Sequence, residues 1–134
     1  MITLALLTTA LLFGGMVLYS FGFAAFLFTA LPPDVAGPTI RRAFPHFYLF
    51  VIGTSAAAAL LVWAFDPIAG IILAAIAITT LPTRQLLMPA INRATDAGQK
   101  RRFNWLHGFS VIITLAHIGM TAYVLMRFVP AVGA

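Results

Sequence analysis

With 134 residues, 62% of them hydrophobic and only 8% charged, the chain is too apolar for a soluble domain and has room for a single compact unit. Its net charge of +5 is confined to the segments between long apolar runs; no basic stripe follows an amphipathic helix, which excludes a nucleic-acid-binding surface. The lack of cysteine excludes disulfides, thiolate metal sites and cysteine nucleophiles.

The first apolar run covers residues 2–31 and stops at Pro32, Pro33 and Asp34. As a helix it would be about 45 Å long, so it should tilt or project from the hydrocarbon. Its opening MITLALLTTALLF has no Lys or Arg before it and no small-residue cleavage site, and is read as part of a retained helix. Gly15 and Gly22 share a broad face with Tyr19 and Phe26, and are expected at close helix contacts.

The second run, residues 45–65, opens with Pro45 at a helix N1 position and closes before Asp66-Pro67. Gly53 and the segment Ser55-Ala56-Ala57-Ala58-Ala59 give it a smooth packing surface. The third, residues 68–87, follows after almost no loop and must therefore form an antiparallel hairpin with the second. Pro82 near its end should free one backbone carbonyl and bend the last turn. The fourth, residues 103–129, comes after the hydrophilic stretch 92–104. The expected fold is an all-α, antiparallel four-helix membrane bundle, a single domain over residues 1–134.

Arg41 and Arg42 lie in the first connection, and Arg84, Arg93, Lys100, Arg101 and Arg102 lie at or in the third; only Arg127 is near the opposite face. The positive-inside rule puts both basic connections in the cytoplasm and both termini outside, as in a bacterial inner membrane. Anionic lipids are the natural partners there, with Arg41, Arg42, Arg101 and Arg102 as headgroup contacts. Arg84 can snorkel to the rim or pair with Asp96. Phe44, Phe47, Tyr48, Phe50, Phe103 and Trp105 at one rim, with Trp63 and Phe65 at the other, read as an interfacial belt. Asp34, Asp66 and Asp96 all fall at turns, which disfavours carboxylate-driven transport or hydrolysis inside the bundle.

The fourth run carries the most informative pattern. At about 100° per residue, His107, Ser110, Thr114, His117 and Thr121 fall in one narrow stripe that should face the other helices. His117 lies about 15 Å deeper than His107, near the midplane, where an unpaired ring would be expensive. In one reading the histidines make interhelical hydrogen bonds that hold the bundle together. In the other, His46, His107, Ser110, Thr114 and His117 bind a cofactor, since neutral imidazole ligates haem iron or a divalent metal. His46 and His107 share a membrane level and can meet if the second and fourth helices are neighbours; no particular metal or cofactor is indicated.

The Gly-rich first span ending in an aromatic stretch (Gly15 through Phe28), the Phe44-Pro45 step with Tyr48, and Phe103, Leu106, His107 and Ser110 resemble the transmembrane-protein-205-like (DUF4149) family of small four-helix membrane proteins. Ala25-Phe26 stands where the family tends to have a proline before the Phe, and Thr114 where an amide commonly follows the Ser; His46 and His117 are additions to its pattern. The resemblance implies an integral membrane protein without established enzymatic chemistry. Taken together, the expected role is that of a non-enzymatic accessory or structural subunit that associates with other membrane subunits or with itself. The alternatives are a quinone-, haem-, pigment- or lipid-binding protein with an electron-transfer role, and a small transporter.

Overall fold

The computed structural model describes the backbone of residues 1–133 and the side chains of residues 1–130. Four helices are long and apolar enough to cross a membrane: α1 (Ile2–Ala30), α2 (Pro33–Val62), α3 (Pro67–Asp96) and α4 (Lys100–Pro130, continuing to Gly133). α1 packs on α2 and α4, and α3 packs on the same two. The bundle is thus a square in which α1 and α3, and likewise α2 and α4, face each other across a diagonal.

α1 carries no charge and buries Ala5, Thr9, Leu12, Met16 and Leu27 at three- and four-residue steps, interrupted by a change of pitch. Over Leu18–Phe23 the helix widens to a π turn, which takes more residues per turn than an α-helix and so re-aims the side chains that follow. Tyr19 in that turn stacks on Phe47 of α2, with ring centroids 4.7 Å apart and planes at 12°. Gly15 marks the closest approach: a Cβ there would fall 2.5 Å from the Phe50 ring.

The second helix begins twelve residues before the expected Pro45, at Pro33, which takes the N1/N2 position with Asp34 in the first turn. Pro38 and Pro45 lie inside it. The missing N–H groups leave carbonyls of the preceding turn free, but this stretch is at the bundle's rim, and other contacts hold it: Ala36 is fully buried, and Arg41 forks onto Asp96. The Pro45 carbonyl in turn accepts from Arg84 Nε at 3.2 Å.

α3 is also longer than the 68–87 of the sequence reading. Asp66 caps it, accepting from the Ala69 N–H at 3.1 Å, and Pro67 fills the first turn. Pro82 does not end it, because the strain is absorbed in a second π turn, Thr83–Leu87, where the Thr83 hydroxyl donates to the Thr79 carbonyl. A further helical segment, Met88–Asp96, carries the chain out to Gly98, whose φ of +66° stops it. Gln99 N–H then bonds the Ala94 carbonyl and Gly98 N–H the Thr95 carbonyl, a Schellman ending that lets α4 start at Lys100.

Lipid is as apolar as the core, so close packing and polar links have to hold such helices together. Gly70 lets α3 approach α2, where a Cβ would lie 2.7 Å from Trp63, and Ala58 and Ala59 share one buried core with Leu73 and Ile76. Two ion pairs tie the ends. Arg41 binds Asp96 through two hydrogen bonds of 2.7 Å, and Arg127 binds Asp66 at 2.7 and 2.9 Å. The expected Arg84–Asp96 pairing is therefore replaced: Asp96 is taken by Arg41, and Arg84 turns to the Pro45 carbonyl and to Gln85.

Candidate functional site

The α4 stripe faces inward. Ser110, His117 and Thr121 are buried and Thr114 is half-buried, while His107 one turn before Ser110 is exposed. Most hydroxyls in the stripe bond within their own helix: Ser110 donates to the His107 carbonyl, Thr114 to that of Ser110, and Thr121 to that of His117. Only His117 reaches across, with Nε2 2.8 Å from Thr79 Oγ1 on α3.

That contact couples the proton positions of the two side chains. Thr79 has one hydroxyl proton, and the Ala75 carbonyl lies 2.7 Å from its oxygen. If the proton goes to Ala75, Thr79 accepts from His117 Nε2–H, and the neutral imidazole keeps Nδ1 as a free acceptor. The ring lies between two spaces. On its inner side all four helices enclose a cavity of about 10 Å³, with Met16 from α1, Tyr48 from α2, Thr80 and Thr83 from α3, and Thr114 from α4 in its wall. A void of that size holds a single water when polar partners surround it, as they do here. On its outer side lies a groove of about 670 Å³ between α3 and α4 that also takes in Thr79, Pro82 and Phe109.

The other candidate residues are placed differently. His46 on α2 and His107 on α4 are both exposed and sit on helices across the diagonal, so the neighbour relation that would join them is missing. His107 stacks on Phe103 of its own helix, 5.3 Å between centroids and 6° between planes. Among the described residues no three His, Asp or Glu side chains gather as a metal site. Of the glycines expected at helix contacts, Gly15 meets Phe50, whereas Gly22 is exposed beside its own Leu18 and Gly53 has nothing within 4 Å of a built Cβ. Of the basic residues, Arg41 is engaged by Asp96, while Arg42, Arg101 and Arg102 are exposed.

Sequence reasoning assigned Phe47 and Tyr48 to an interfacial belt, but both are buried and help form the inner wall. Their neighbours Phe44 and Tyr19 complete an aromatic cluster inside the bundle. It did not single out Thr79, Thr80 or Thr83 as site residues. The available signal was the four-residue step from Thr79 to Thr83 around Pro82, which puts two hydroxyls on one face at a weakened point of the helix.

Four apolar helices with short connections and a polar seam through their middle define a small, all-helical integral membrane protein. More particularly, the chain belongs to the DUF4149 family, described as a domain of unknown function, whose model matches residues 7–100. No curated protein and no solved structure matches it.

Proposed function

We propose that the protein is a non-catalytic accessory subunit that docks sideways, within the bilayer, against a larger complex of a bacterial inner membrane. The observation that carries this reading is the outer face of α2. Gly53 and Ala57, one turn apart, are both exposed there between the lipid-facing Leu49 and Leu60, and a side chain at Gly53 would meet nothing of its own chain. Small residues on a lipid-facing surface allow a second helix to come close enough for backbone contact.

In this reading the helices run antiparallel, with both termini on the non-cytoplasmic side. The short α2–α3 turn and the gathering of Arg41, Arg42, Arg93, Lys100, Arg101 and Arg102 at one end support that arrangement. Arg42, Arg101 and Arg102 then meet anionic headgroups, with Arg41 lending its charge while it binds Asp96.

Purification from the native membrane in mild detergent, followed by native mass spectrometry, tests the proposal. Stoichiometric co-purification with larger subunits, lost in Gly53→Leu while the 14.4 kDa chain stays folded, is the expected result. An isolated chain in both preparations would refute it.

A ligand-binding role for His117, Ser110 and Thr114 is favoured by one specific observation, the opening of the bundle beside His117. The enclosed cavity of about 10 Å³ suits a water molecule, so a larger ligand belongs in the groove outside it.

A further inference from the structure

The groove between α3 and α4 has a polar floor in apolar walls. Ala75 and Ala116 are small enough to leave the space open, and Leu86, Phe109 and Met120 are among the apolar side chains that line it. His117, 7% exposed, closes the inner end, and the more exposed Thr79 stands beside it at hydrogen-bond distance. The volume of about 670 Å³ is in the range of roughly 300–1,000 Å³ found for small-molecule sites.

The hydrogen-bond inventory at Thr79 limits what fits. Its single proton is shared between the Ala75 carbonyl and His117 Nε2, and in either arrangement the oxygen keeps at least one lone pair free at the groove. The group that completes it is a donor. Depth limits the charge: His117 is seventeen residues from Lys100 and thirteen from Pro130, about 25 and 20 Å by helical rise, which puts it near the middle of the bilayer. A phosphate or an ammonium group at that level pays heavily for lost hydration, whereas an uncharged hydroxyl does not.

We propose that the α3/α4 groove binds an uncharged, membrane-soluble molecule with a hydroxyl head and an apolar tail, its hydroxyl donating to Thr79 Oγ1 while the hydrogen bond to His117 Nε2 holds that oxygen in place. The site uses α3 and α4 and leaves the outer face of α2 free, so it stands independently of the accessory-subunit reading.

The test uses the full chain in phosphatidylcholine vesicles with 4-decylphenol carrying a diazirine in its tail. A decane diazirine without the hydroxyl serves as the control. After illumination, labelled peptides are mapped by mass spectrometry with and without excess unlabelled 4-decylphenol. Expected is saturable labelling of the stretches 75–87 and 109–120 by the phenol only. Ala116→Phe fills the groove from an exposed position without touching the His117–Thr79 pair, and should abolish that labelling. Thr79→Val should weaken the apparent affinity by about fivefold, the value of one neutral hydrogen bond. Labelling spread evenly over the outer surfaces of all four helices, or unchanged in Ala116→Phe, would overturn the site. Equal saturable labelling by the decane probe would overturn the role of the hydroxyl.

Discussion

His117 and Gly15 show two ways in which one residue fixes a helix pair in lipid. His117 is the single member of the α4 stripe whose side chain crosses to another helix, so its ring orientation depends on Thr79. The neighbouring hydroxyls, paired to their own carbonyls, cost little to bury but add nothing between helices. Gly15 acts by having no side chain. Gly15→Val drives a branched Cβ into the space of the Phe50 ring and should cost about 1–3 kcal/mol, as overpacking does, whereas Gly14→Val, one residue away, meets no neighbour and should change stability far less. Unfolding of the two variants by detergent titration compares them directly; equal losses would mean that helix propensity, and not the α1–α2 contact, sets the effect.

At the scale of elements, the ends of the helices carry more of the design than their middles. Asp66 caps α3 and binds Arg127 of α4 with the same carboxylate, so one side chain ends a turn and links two helices. Above all the Arg127 guanidinium, and then the Ala69 N–H, hold the Asp66 carboxyl below its ordinary range against the opposing effect of burial. A depressed folded value stabilises the protein fully above the unfolded value of about 3.9, and that contribution disappears as pH falls through the folded one. The stability difference between the wild type and Asp66→Asn should therefore be constant from about pH 6 to 5 and shrink below about pH 4. Thermal unfolding in detergent across that range checks it, and a difference that stays constant to the lowest pH would rule out the link.

The ends are also where the sequence was hardest to read. Hydropathy located all four helices and the inward face of α4, because lipid demands long apolar runs and a polar stripe has only one place to go. It did not show that α2 starts at Pro33 or that α3 runs on to Asp96. Prolines at 38, 45 and 82 look like boundaries when only local rules are applied. In the folded chain a π turn next to Pro82 absorbs that proline, and the stretch around Pro38 and Pro45 is held by the Arg41–Asp96 and Arg84–Pro45 links, whose partners lie tens of positions apart in sequence. Tyr48 was misplaced for a related reason: an aromatic residue near a rim has the same local signature whether it faces headgroups or the bundle's interior.

For the whole molecule, orientation is the property that charge controls. Replacing Arg42, Arg93, Lys100, Arg101 and Arg102 together by Gln should give a mixed or inverted population, read by cysteine accessibility at residue 2 in intact cells. An unchanged single orientation would mean that Arg41 and Arg84 are enough. In the proposed orientation the outer end contributes by being silent. Asp66 and Arg127 cancel each other, so the whole formal charge of +5 stands at the other end of the bundle. Each elementary charge moved across a potential of 100 mV involves about 2.3 kcal/mol. In the proposed orientation, with about 100 mV across the membrane and the inside negative, turning the chain over would require electrical work of more than about 10 kcal/mol, and pairing with Asp66 neutralises Arg127, whose charge would have reduced it.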